Sequence, residues 1–129
     1  MESTLRAALV AWLRAGSTLA ALNRVAEEAP VMASLPWLGI AASASTDWSA
    51  KEVRGREIRV AFELHCRGDD PASAATLVRA IEARIEALPR IQEGFAVISA
   101  LFLRARAEQR AANTRAVLLE YRFRVLEIA

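Results

Sequence analysis

The sequence predicts an α+β fold, with two main helices packed on one face of a small antiparallel or mixed sheet of about four strands. Three observations lead there. Residues 56–67 and 115–128 alternate apolar and polar side chains at a period of two, as half-buried strands do. Residues 5–13 and 74–88 repeat apolar side chains at helical spacing. The segments follow one another as helix, strand, strand, helix, strand, strand, and 129 residues is the length of one domain, 1–129.

Ser3 or Thr4 is placed to cap the first helix, whose stripe is Leu5, Ala8, Leu9, Trp12 and Leu13, with Gly16 as its stop. Leu19, Leu22 and Val25 suggest a further short helical turn ending before Pro30. Within 31–42 a strand runs through Trp37, Leu38, Gly39 and Ile40, starting at or after Pro36, because proline cannot donate to a ladder. Residues 43–55 are polar, lack periodicity and read as a loop. In the strand from Arg56 to Arg67, Ile58, Val60, Phe62, Leu64 and Cys66 point one way. Glu57, Arg59, Glu63 and His65 point the other.

Asp70 is placed to cap the second helix and Pro71 suits its first position. Its stripe is Ala74, Leu77, Val78, Ile81, Ile85 and Leu88, and Pro89 ends it. Gly94 opens a strand, 95–104, that is apolar on both sides, the pattern of a central strand. A helix would cover one side and a neighbouring subunit the other. Residues 106–114 read as a polar connection, and 115–128 as the last strand, antiparallel to the one before. No internal repeat interrupts this order.

The composition excludes several classes. The apolar fraction of 54% and charged fraction of 25% suit a folded chain rather than a disordered one. The net charge is +2, so the pI near 9.3 reflects a few extra arginines and not the dense basic stripe that a bound duplex demands. Lys51 is the only lysine. Arginine is favoured in interfaces, although a GC-rich coding sequence would produce the same bias. Cys66 is the only cysteine, so no internal disulfide forms, which fits a reducing compartment. Met1 to Gly16 has no apolar core of secretory-signal type, and no run of about 18 apolar residues could span a membrane.

The residues for chemistry are sparse. His65 is the only histidine, and its neighbour Cys66 points to the opposite face of a strand, so they cannot act as nucleophile and base. One His and one Cys do not make a zinc site. Gly55, Gly68 and Gly94 are isolated and form no phosphate loop. Asp69-Asp70 is explained by helix capping, and Glu27-Glu28 by a solvated turn. The expectation is no catalytic residue, no metal and no cofactor.

Three places are candidates for binding. The first is the segment from Asp47 to Arg56, where Trp48 is flanked by Asp47, Lys51 and Arg54. The second is the connection carrying Arg106, Arg110 and Arg115. The third is the polar strand face with Arg59 beside Glu57, Glu63 and His65, whose mixed charges can pair across strands or subunits. Asp47, Trp48, Lys51, Arg54, Arg56, Arg59, Arg106 and Arg110 are the interface candidates.

Leu35-Pro36-Trp37-Leu38 before Gly39, Asp47-Trp48-Ser49 with Lys51, Gly55-Arg56-Glu57 opening a strand, Gly94, and Arg122-Phe123-Arg124 near the end form an ordered set. In this the chain resembles the tail-terminator, or tail-completion, proteins of tailed phages, prophages and gene transfer agents. Ala50 stands where threonine is more usual, and His65-Cys66 departs from the bulky or polar pair of the pattern. The resemblance implies a non-enzymatic virion part, assembled in the bacterial cytoplasm and free of membrane. Such a part forms a ring, typically of six copies, on the last tail-tube ring. It stops tube growth and meets the head-completion (stopper) protein, while DNA passes through its channel without sequence-specific binding. A head-tail connector or tail-tube component would share many of these features. A small oligomeric ligand-binding α+β domain would instead show a concave apolar pocket. A nucleic-acid module would expose its aromatics for stacking, whereas these read as core.

Overall fold

Leu5, Leu9 and Leu13 recur every fourth residue, and a helix is the conformation that lines them up. In the computed structural model, which describes residues 1–27 and 33–128, they are the buried stripe of α1, Glu2–Arg14. The helix begins ahead of both expected caps, and Thr4 Oγ1 donates back to the Met1 carbonyl oxygen at 2.9 Å. Ala15 is the C-cap, and Gly16 follows in extended conformation. A Cβ on Gly16 would lie 3.0 Å from Arg84 Nε, so the reason for glycine is close approach.

The 3-10 turn Ser17–Leu19 accounts for part of the expected second helical turn, but Val25 lies in a strand, β1, Arg24–Ala26. Residues 28–32, including Glu28, Pro30 and Val31, fall outside the described residues. β2, Trp37–Asp47, starts directly after Pro36 and runs well past the expected four residues. Residues 43–47 are strand and not the expected loop, although alanine and serine are weak strand formers. Their ladder to the next strand, from Ser43↔Val60 to Asp47↔Arg56, overrides propensity. β3, Gly55–Arg67, buries Ile58, Val60, Phe62, Leu64 and Cys66, as the alternation predicts.

α2, Pro71–Glu86, is capped as expected: Asp70 accepts the Ser73 N–H at 3.1 Å and the Ser73 hydroxyl at 2.7 Å. Ala74, Ile81, Ile85 and Leu88 are buried. β4, Ile91–Gln92, is a two-residue strand. β5, Phe95–Arg110, absorbs most of the expected polar connection, and the turn before β6, Thr114–Glu127, is residues 111–113. Ala112 and Asn113 both take positive φ there, the backbone of a tight hairpin turn.

The described strands form one six-stranded sheet in the order β1-β2-β3-β6-β5-β4. Only β1 and β2 pair in parallel, so the sheet is mixed. It has two more strands than expected because β1 and β4 are too short to show periodicity.

β5 is not central; β3 and β6 are. Its two-sided apolar pattern comes from register shifts between Val97 and Ser99 and between Phe102 and Arg104. Val97, Ala100 and Phe102 therefore share the face of Val125, Phe123 and Tyr121, while Ser99, Leu101 and Arg104 share the other. Beyond Ala96, the far edge of β5 has no strand partner among the described residues.

Both helices lie on one face, α1 against β1 and β2, α2 against β3. They are clamped together reciprocally. Trp12 Nε1 donates to the Arg84 carbonyl oxygen at 2.6 Å, Arg84 Nε donates to the Trp12 carbonyl oxygen at 2.9 Å, and the guanidinium lies 3.3 Å from the indole centroid.

Candidate functional site

With helices on one face, the other face is left to polar side chains from β2, β3, β6 and β5. Alternation places Glu57, Arg59, Glu63 and His65 there from β3, with Glu120, Arg122 and Arg124 from β6. They form linked pairs. Glu57 Oε1 takes Arg124 Nε at 3.0 Å and faces Arg122 Nε at 3.7 Å. Glu63 Oε1 takes His65 Nε2 at 2.8 Å and Arg110 Nη1 at 2.9 Å, and Arg110 reaches on to Glu108 at 2.8 Å. Arg104 pairs with Glu120 at 3.2 Å. His65 also stacks on Trp37, centroids 4.0 Å apart and rings within 10° of parallel.

Burial holds the His65 imidazole below the ordinary histidine range; Glu63 opposes that shift and Arg110 adds to it. Cys66, on the opposite face, is buried, and burial pushes its thiol up. It donates weakly to the Arg115 carbonyl oxygen at 3.6 Å. Among the described residues no group of three His, Cys, Asp or Glu is arranged to hold a metal, and none of their helices is long and apolar enough to cross a membrane. An open cleft of about 580 Å³ lies beside α2, lined by Leu35, Pro36, Cys66, Leu77 and Ala80.

The β2–β3 connection explains the spacing of its own motif. Ser49 Oγ donates to Asp47 Oδ1 at 2.7 Å and accepts the Gly55 N–H at 3.0 Å. Trp48 N–H donates to the Gly55 carbonyl oxygen at 3.0 Å. A Cβ on Gly55 would come 2.5 Å from the Trp48 carbonyl oxygen, so only glycine fits. Trp48 is half-buried, with the Arg124 guanidinium 5.4 Å from its ring centroid. Lys51 and Arg54 are exposed on the tip, where Ala50 and Val53 pair as an isolated bridge.

This arrangement has counterparts among known proteins. Residues 7–126 match the family described as Tail completion protein gp17. The chain belongs to that family. It is a structural protein of tail assembly. A search of curated proteins gives no match. Among solved structures, a chain described as "Virion of native gene transfer agent (GTA) particle" is 25% identical, with a TM-score of 0.70, covering 95% of this chain and 94% of that one.

The interface candidates do not form one patch. Asp47, Trp48, Lys51, Arg54 and Arg56 cluster at the end of the sheet where β2 meets β3, and Arg56 donates to Ser45 Oγ at 3.3 Å. Arg110 lies at the opposite end, near the β5–β6 turn, with Arg106 four residues before it on the same strand. Arg59 sits between them on the polar face. The Trp37–His65 stack was not legible in the sequence, because it joins residues 28 positions apart. Nor was the role of Arg122 and Arg124, although their alternation with Phe123 was visible.

Proposed function

We propose that this chain forms a ring that caps the tail tube, ends tube growth and joins tail to head. The match of residues 7–126 to tail completion proteins carries this reading. The similarity to a chain of a gene transfer agent virion supports a place in the particle; assembly in the bacterial cytoplasm is part of the same proposal. Ring closure requires two different patches on each copy that meet head to tail, and six copies is the number we propose. The tail-tube protein and the head-completion (stopper) protein are the partners. The segment from Asp47 to Arg56 contacts the tube or a neighbouring copy. Arg59, Arg106 and Arg110 belong to the surfaces buried in the particle.

DNA passes through the channel without sequence-specific binding. The net charge of +2 supports this, since tight backbone binding needs many uncompensated cations, and Arg104, Arg110 and Arg124 each have a carboxylate partner. The role is structural and not enzymatic: the single histidine and the buried cysteine point to opposite faces of β3.

The test is to mix the protein with its tail-tube protein and view the product by negative-stain electron microscopy. Capped, shortened tubes support the reading. Tubes that ignore the protein overturn it. Filaments formed by this protein alone would make it a tube subunit instead.

A further inference from the structure

The sheet has two open edges on opposite flanks. β1 covers β2 only from Trp37 to Gly39, leaving Ala41 to Asp47 unpaired on that side among the described residues. β4 covers β5 only at Phe95 and Ala96, leaving Ile98 to Arg110 likewise unpaired among the described residues. Unpaired backbone groups along an open strand are a template for another strand. We infer that these edges pair with each other between copies: β5 of one subunit adds to β2 of the next, carrying one sheet around the ring. This rests on the ring reading above and names the surface that closes it.

Direction, size and charge all agree. β2 is antiparallel to β3, β3 to β6, and β6 to β5, so β5 runs opposite to β2 within one subunit. Rotation about an axis roughly along the strands preserves that relation, and the junction is an antiparallel ladder. The β5 edge presents bulk, with Ile98 51%, Leu101 45% and Phe102 41% exposed. The β2 edge presents small side chains, Ala41, Ala42 and Ala44, all exposed. Bulky residues on one edge thus meet open space on the other.

The antiparallel alignment also pairs charges at both ends. Asp47, the only charged residue in β2, arrives at the start of the neighbour's β5. Arg90 lies there, its carbonyl oxygen accepting the Val97 N–H at 2.7 Å. At the other end, Glu27 follows Ala26, which pairs with Gly39, so it stands level with Ile40 where the open edge begins, its carboxylate 3.3 Å from Arg6 Nε and still partly exposed. Arg104 and Arg106, both largely exposed and each sharing a carboxylate of its own subunit, Glu120 and Glu108, come to that end.

Cysteine cross-linking tests this in a Cys66→Ala background. Ala42→Cys or Ala44→Cys is combined with Ser99→Cys or Leu101→Cys, all on the helix-free face. β3 and β6 separate β2 from β5 within a chain. Three ladder spacings amount to about 14 Å, beyond the Cα separation of ~7 Å that a disulfide spans. Any bond is therefore between copies. Oxidation is carried out in solution and on tubes, and each preparation is also viewed by electron microscopy. The expected result is a ladder of covalent oligomers ending at the ring's copy number with at least one double variant, and none beyond dimer with single variants. No ladder in either setting overturns the inference. Capped tubes without a ladder overturn it while leaving the capping function intact. A ladder without capped tubes supports edge pairing and removes the capping function.

Discussion

Tyr121 is fully buried, in contact with the rings of Phe62, Phe102 and Phe123, yet its hydroxyl has no hydrogen-bond partner among the described residues. Burial, with Glu86 and Glu82 nearby, raises its pKa well above the ordinary tyrosine value. An orphaned hydroxyl costs about 1–3 kcal/mol. Tyr121→Phe should therefore leave stability unchanged or raise it by about 1 kcal/mol, read by urea denaturation; a loss of that size would mean the hydroxyl is satisfied. His65 offers a pH test. Its folded pKa is lowered, chiefly by burial. Folding thus favours the neutral ring, and that stability is full above the unfolded pKa of ~6.5 and lost as pH falls through the folded value. The wild type should lose more stability than His65→Gln between about pH 7.5 and 5. Parallel losses in the two proteins would contradict a role for this proton.

At the scale of elements, the β2–β3 connection shows how a surface motif can be mainly structural. Asp47, Ser49 and Gly55 hold the loop by their own hydrogen bonds, and Trp48 lies against Arg124. The edge of the tryptophan that remains open is available to a partner. Trp48→Ala should cost about 1–2 kcal/mol of stability from lost contact, leave the circular dichroism spectrum folded, and lower capped-tube yield by about tenfold or more. Unchanged yield would remove this loop from the interface. The helices and strands β3 and β6 were legible because their apolar periods are clean. The ends of β2 and β5 were not. Residues 43–47 and 105–110 are rich in Ala, Ser, Arg and Glu, and only pairing with β3 and β6 makes them strands. The bulges at Ile98 and Leu103 turned a one-sided pattern into an apparently two-sided one.

For the whole molecule, α+β class and the placement of helices on one face followed from the order of periods. Strand order and the open edges did not, since they depend on which strands meet across long sequence gaps, such as Gly55↔Leu126. The candidate site was legible as residue types and not as places: the arginines read as one interface set lie at both ends of the sheet. A ring needs only a few copies per tube, however long the tube. The most direct measurement is therefore the dose of this protein that halts tube elongation, followed by light scattering and by tube length in micrographs. Arrest at a small fraction of the tube-subunit concentration, with one cap per tube, is the predicted result. Arrest only near equal amounts, or incorporation along the length of the tube, would contradict it.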